Sequence, residues 1–355
     1  MDPVNLIPTP DTIPAPAWLF LVLDLVTFLL HIMVINVVLG GSLLMLFARF
    51  GKKDMRASGN IFGVLINKIP TSVALGVNLG VAPLLFLQVI YGHLFYSSSI
   101  LMGVYWILVI PLLIIAYYSA YVHAKNEKLA RIAILITSLL LMYIGFMQVN
   151  NLSLMTQPEK WAAYFENRGG TILNVDDPTF IPRYLHFLTA SVAIAGLFTA
   201  LVWSIRTRKN PDAGKNNIAN GLRIFGYATV VQVVVGLWFL MAIPSDFILQ
   251  FMGGNLLFSV VLLVGFLSGI GAIVTAFLGK LRPTVMQLII TMITMIITRQ
   301  NLRTLYLEEK FQLESLQLAP QYGVLILFLV IFVFGLWSVW YMVKGAITVK
   351  EGRAA

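Results

Sequence analysis

Four histidines are the side chains of this sequence best able to do chemistry inside a lipid phase, and His186 is the one best placed for it. It stands in Ile181-Pro-Arg-Tyr-Leu-His-Phe-Leu-Thr-Ala-Ser, the opening of an apolar run that ends at Trp203. An imidazole in hydrocarbon loses its hydration, so a metal, an ion path or a polar neighbour has to account for it. Arg183 lies one turn earlier, at the level where it would meet an anionic group at the interface. A haem needs this arrangement, with a nitrogen for its iron and a cation at the rim for its propionates. The chain has no cysteine. Disulfides, thiolate metal sites and covalent haem c attachment are therefore excluded, and a haem would be held non-covalently.

The other histidines carry weaker signals. His31 lies roughly 20 Å below the outer end of the first helix by helical rise, with Asp24 two turns above it on the same face. That pair fits a ligand, a proton path or a hydrogen bond to a neighbouring helix. His93, in Tyr91-Gly-His-Leu-Phe-Tyr, sits at the end of a span, where a histidine among aromatics is ordinary. His123 precedes Ala-Lys-Asn-Glu-Lys and reads as solvated.

The elements that must position these groups are membrane helices. Hydrophobic residues make up 59% of the chain and charged residues 11%, and the mean hydropathy is +0.88. A net charge of +9 could point to nucleic acid, but the basic residues fall in short loops between apolar runs and no nucleic-acid motif occurs. A span takes about 20 apolar residues, which gives nine: 18–47, 71–95, 101–123, 129–149, 181–205, 222–243, 256–278, 285–297 and 324–343. The eighth reaches full length only if it extends through Arg299 to Arg303. Nine spans predict an all-α polytopic bundle in contact with the lipid bilayer. Its expected parts are a lead (1–17), four helices (18–149), a connection (150–180), four more helices (181–303) and a final segment with the ninth helix and tail (304–355).

Alternate loops hold 18 of the 24 basic residues: Arg49, Lys52, Lys53, Arg56 and Lys68 in the first, then Lys125, Lys128 and Arg131, and so on to Lys344, Lys350 and Arg353 at the C-terminus. By the positive-inside rule these face the cytoplasm, which places the N-terminus outside and the C-terminus inside. The lead lacks the basic start and small-residue cleavage site of a signal peptide and is expected to persist. Segment 150–180, with Trp161, Tyr164, Phe165 and a Gly169-Gly170 turn, is expected to fold against the outer surface or a partner.

Several short motifs, in order, resemble the large subunit of the cytochrome bd-type quinol oxidases. His31-Ile-Met-Val-Ile-Asn-Val-Val-Leu-Gly is similar to the segment holding that family's high-spin haem histidine. Ala74-Leu-Gly-Val-Asn-Leu-Gly and Gly145-Phe-Met-Gln resemble two further family runs. The stretch with His186, Ala190, Ser191 and Gly196 is similar to the helix of the low-spin haem b histidine. Gln250-Phe-Met252 stands where the family has an Arg-x-Met whose methionine is that haem's second ligand, and Arg299-Gln300 resembles the family's Gly-Arg-Gln-Pro-Trp. The resemblance implies a bacterial cytoplasmic (inner) membrane location and haem b held by His186 and Met252, with Arg183 on a propionate. It also implies a second haem at His31, with His93 or another group.

The departures fall on oxygen chemistry. Ile296 occupies the position of a glutamate ligand, the third span has no carboxylate between Val104 and Ala120, and the long quinol loop is reduced to residues 244–255. No haem d and no oxygen reduction are expected. The expected role is a haem b electron-transfer subunit of a respiratory complex, working with other membrane subunits. It would link the quinone pool, or a membrane partner, to a periplasmic c-type cytochrome or other redox subunit. Two other classes are compatible with the residues: a haem-free anchor for partner subunits, and a transporter or ion channel with Asp24 and His31 on its path. The second usually shows internal repeats or broken helices, and Pro111 is the one expected break.

Overall fold

A backbone in hydrocarbon has no water to bond, so each apolar run must close its hydrogen bonds within itself, as a helix does. The computed structural model describes residues 6–51, 60–206 and 211–352, and all nine runs are helices there. In chain order the helices are α1 (Ala17–Phe50), the short α2 (Gly63–Ile66), α3 (Ile69–Leu101), α4 (Gly103–Lys125), α5 (Ala130–Thr156) and α6 (Phe180–Arg206). They continue as α7 (Pro211–Ala242), the short α8 (Ser245–Leu249), α9 (Leu256–Phe277), α10 (Leu281–Leu307) and α11 (Tyr322–Gly352). All but α2 and α8 are long and apolar enough to cross a membrane. Among the described residues there is no strand, only an isolated bridge between Ile13 and Leu318. The protein is an all-α polytopic membrane helix bundle.

The helices overrun their apolar runs. The eighth run becomes the 27-residue α10, about 40 Å long at 1.5 Å per residue, so Arg299 and Arg303 are carried as helical residues near its end. Pro111 does not break α4. The interruption lies instead in α3 at Tyr91 (φ −119°, ψ 23°). A second irregularity is the π turn Gln250–Gly254, where Gly253 takes φ 119°, a conformation that strains residues bearing a Cβ.

Helix α1 packs against α3, α5 and α6, while α6 pairs with α7, α9 with α10 and α4 with α5. The α1–α6 crossing brings the backbones together: a Cβ on Gly40 would lie 1.9 Å from the Ser191 carbonyl oxygen. Without hydrophobic drive between helices in lipid, such close approach at small residues is what holds them. Helix α11 is the exception, with no buried residue in its apolar window. An all-round apolar helix of this kind needs a cover of lipid or of another protein.

One end of the bundle carries a cap. The Ile13 N–H donates to Gln317 O (2.9 Å) and the Ala319 N–H to Ile13 O (2.9 Å), which ties the lead to the connection before α11. The 3₁₀ segment Pro158–Phe165 folds onto the same end. Trp161 there is buried and its Nε1–H donates to Leu154 O (2.8 Å), and Lys310 pairs with Glu159 at 2.7 Å. At the far end Arg49 pairs with Glu127, and the Trp203 Nε1–H donates to Ile61 O (3.3 Å). Of the loop charges counted above, Lys52, Lys53, Arg56, Arg208, Lys209 and Arg353 lie outside the described residues, as does the start of the lead. His123 is not solvated. It is 1% exposed, with Nδ1 3.0 Å from Ala130 O, because the short turn from α4 into α5 folds the first turn of α5 over it.

Three spanning helices separate Asn216 from Glu309, and both residues are exposed. Cysteines introduced at these two positions are expected to react with an impermeant maleimide from opposite sides, Glu309→Cys in intact cells and Asn216→Cys only after the membrane is breached. Labelling of both from outside would contradict the nine-crossing arrangement.

Candidate functional site

Asp24, Phe28 and His31 fall at i, i+4 and i+7 on α1 and so share one face. Asp24 is 4% exposed and its carboxylate lies 3.6 Å from the guanidinium of Arg303, itself 5% exposed. Arg303 donates to Gln300 Oε1 (3.0 Å), and Gln300 Nε2 donates to the Tyr91 hydroxyl (2.8 Å). The Arg303 guanidinium also lies 5.0 Å over the Tyr91 ring. The α3 kink at Tyr91 therefore sits where its ring and hydroxyl serve this pair. The arrangement follows from the cost of burying charge: an ion pair in low dielectric is tolerable only when further hydrogen bonds complete it.

One turn along α10, Arg299 is placed differently. Its guanidinium stacks 4.4 Å over Phe28 and lies in electrostatic range of Arg303, Arg183 and Asp24. Among the described residues it has no carboxylate within ion-pair distance. Three arginines thus share a layer in which Asp24 is committed to Arg303. A guanidinium presents a planar fork of donors that matches a carboxylate or phosphate.

Across from α1, the cap positions Arg183. Asp177 is buried and accepts hydrogen bonds from Ser153 (2.9 Å), Gln157 (2.7 Å), and the N–H (2.9 Å) and hydroxyl (3.0 Å) of Thr179. The Thr179 oxygen accepts in turn from Arg183 Nη2 (3.0 Å). Tyr306 of α10 reaches both Thr179 and Arg183, and Arg183 lies 5.3 Å over the Phe239 ring. The arginine is held by a hydrogen-bonded relay, so its charge is oriented without a direct carboxylate contact.

The two intramembrane histidines each lie against a glycine. His31 has Nδ1 2.9 Å from Gly76 O. A carbonyl only accepts, so Nδ1 carries the proton and Nε2 keeps its lone pair, the state of an imidazole ready to bind a metal. A Cβ on Gly80, one turn from Gly76 on the same face, would lie 2.7 Å from His31 Cε1. His186 lies against Gly236 of α7, where a Cβ would meet its Cε1 at 3.0 Å, with Phe239 at a ring separation of 6.4 Å. His186 Nδ1 is buried with no hydrogen-bond partner.

His31 and His93 are not brought together. His31 meets α3 at Gly76 and Gly80, and His93 lies about 20 Å further along that helix by its rise. The His93 ring packs edge-on against Phe311 at 4.7 Å, with Nε2 buried and unpartnered. Met252 is 58% exposed in the π turn, whereas Phe251 beside it is buried with Phe239 and Tyr306 around it. Among the described residues no three His, Asp or Glu side chains converge as a metal-ion site.

Sequence reasoning gave no role to Tyr91, Asp177 or Gly236, and met Gln300 only within the motif Arg299-Gln300. Gly76 and Gly80, four residues apart on the face that receives His31, did carry a signal in their helical spacing. Replacing Asp24 by asparagine leaves Arg303 buried without its counter-charge, a loss of about 3–5 kcal/mol for a buried pair. A lowered melting temperature in detergent is expected, with most of the loss recovered in Asp24→Asn/Arg303→Gln. A double variant no better than Asp24→Asn would mean that the pair is not the source.

No family model, no curated protein and no solved structure matches this chain.

Proposed function

We propose that this multi-pass membrane protein is a haem b-binding electron-transfer subunit of a respiratory complex in a bacterial cytoplasmic membrane, with the cap end facing outward. The observation that carries the reading is the layer of Arg183, Arg299 and Arg303, in which the Arg299 fork faces no protein carboxylate; His31 follows one turn after Phe28 on α1 and His186 one turn after Arg183 on α6. Buried cations in a span are expensive unless matched, and a ligand bearing carboxylates would match them.

The residues present fit the group. His31 has its proton fixed on Nδ1 by Gly76 and its Nε2 lone pair free, and His186 has a buried ring nitrogen without a protein partner. Gly80 and Gly236 let each ring pack directly against a helix backbone, which fixes its position. When bound, haem supplies a one-electron couple. The chain's own residues would bind and orient it: His186 would hold one haem near the cap, His31 a second, and Arg183 and Arg299 would offer charge-assisted hydrogen bonds to carboxylates of the group. Asp177, through Thr179, keeps Arg183 directed at that rim. Met252 is the proposed second ligand at His186 on the strength of the family resemblance, and its exposed place in the π turn makes it the weaker half of the pair.

The electrons would pass between the quinone pool or a membrane partner and a periplasmic c-type cytochrome or other redox subunit. Proton supply separates this reading from oxygen reduction. Ile296 is buried one turn before Arg299, and an alkyl side chain there neither binds iron nor carries a proton.

A reduced-minus-oxidised spectrum of the purified protein is expected to show low-spin haem b. His186→Ala should abolish that signal while the protein still inserts, and Met252→Ala should keep haem but alter its spin state or potential. An unchanged spectrum in His186→Ala would overturn the assignment, and no Soret band at all would favour a haem-free anchor. The same preparation is expected to show no haem d band and no cyanide-sensitive quinol oxidation, and either signal would restore the oxidase reading.

A further inference from the structure

The far end of the bundle holds a second feature, separate from the arginine layer. A shallow, open groove of about 590 Å³ lies along the last turns of α4 and the turn into α5. Ala116, Ala120 and His123 form the buried side of α4, and the groove opens along a neighbouring stripe. Tyr117, Tyr121 and Lys125 follow at i, i+4 and i+8, with Asn126 beyond them and Val122 and Leu129 as apolar walls.

The polar groups of this groove are left as donors. The Tyr117 hydroxyl donates to the Tyr121 hydroxyl at 3.4 Å, with the rings edge-on at 5.0 Å, and this leaves the Tyr121 proton for another acceptor. The Lys125 ammonium sits 5.9 Å from the centre of the Tyr121 ring. The Asn126 oxygen accepts from the Leu129 N–H (3.3 Å), so its amide hydrogens remain to be given. A hydroxyl, an ammonium and an amide directed at one space call for a ligand that only accepts.

Charge narrows the ligand further. Glu127, the one carboxylate of this turn, has both oxygens engaged by Arg49. Among the described residues, Lys125, Lys128 and Arg131 therefore have no carboxylate within ion-pair distance. The opening lies at the end of a spanning helix, with its apolar walls, Val122 and Leu129, partly exposed. Tyrosine and lysine have an apolar body and a polar tip suited to a membrane–water boundary.

We propose that this groove binds the phosphodiester headgroup of an anionic phospholipid, with Tyr121, Lys125 and Asn126 donating to the phosphate and Val122 and Leu129 against the glycerol and upper acyl chain. The site does not depend on the haem reading.

The test uses the delipidated full-length protein and native mass spectrometry, with dioleoylphosphatidylglycerol and dioleoylphosphatidylcholine as probes. Retention of phosphatidylglycerol over phosphatidylcholine is expected in the wild type. Tyr121→Phe/Lys125→Ala should weaken phosphatidylglycerol retention about tenfold, and Tyr121→Phe alone by a smaller factor. Lys280→Ala, a cation at another turn of the same end, should leave it unchanged. Equal retention of the two lipids, or a double variant that binds like the wild type, would overturn the proposal. Displacement of the lipid by millimolar inorganic phosphate would overturn it too, since that would reveal a free-phosphate site.

Discussion

A buried positive charge has to be matched, and that constraint organises the cap end of this protein. Arg303 is matched within the chain by Asp24, with Gln300 and Tyr91 completing the hydrogen bonds. Arg183 is matched at one remove, through the Thr179 hydroxyl to Asp177. Arg299 has a ring beneath it and cations around it. The first two draw α1, α3, α6, α10 and the cap connection into one framework. The third leaves that framework with a surplus of donors in a layer where water is scarce and the interaction is correspondingly strong.

That framework also explains why irregular backbone occurs where it does. The α3 kink sets Tyr91 between Gln300 and Arg303, and the π turn at Gln250–Gly254 places Phe251 in the packing around Phe239, the ring that contacts both Arg183 and His186. Irregular backbone is tolerated in membranes where protein covers it, as at the buried Tyr91; the π turn buries Phe251 alone and leaves Met252, Gly253 and Gly254 exposed. Pro111 needs no such cover, because α4 stays helical through it.

The spans were legible in the sequence because length and hydropathy are local quantities, and a run of apolar residues in lipid has little choice but a helix. Their ends were less legible: the extension of the eighth span through Arg299 to Arg303 followed from the length a span needs, but its start at Leu281 and its run on to Leu307 did not. His123 misled because a histidine before a basic turn looks solvated, and only the fold of α5 over it supplies the Ala130 carbonyl. The Asp24–Arg303 pair joins the first and eighth spans, and no local pattern announces it. His31 and its shelf were half-visible: the spacing of Gly76 and Gly80 marks a face, but which ring lies on it depends on how α1 crosses α3.

The same electrostatics bears on the kind of chemistry the layer can support. Electron transfer to a bound group, as proposed, would ask the protein for a fixed orientation, a ligand and a compensating field, roles that fall in the proposal to the two histidines and the arginines. Reducing oxygen asks also for groups that lose and regain protons deep in the bundle. Among the described residues Asp24 is the carboxylate placed well inside a span, and it is held against Arg303 in a contact whose loss would leave the arginine unmatched. Ile296 presents only alkyl surface one turn from Arg299, and the hydroxyls lining the α9–α10 contact, such as Ser268 and Thr291 at 2.8 Å, bond to one another and to their own helices. A layer rich in fixed cations and poor in free carboxylates suits an anionic group better than a reaction that consumes protons, and the proposed function rests on that asymmetry.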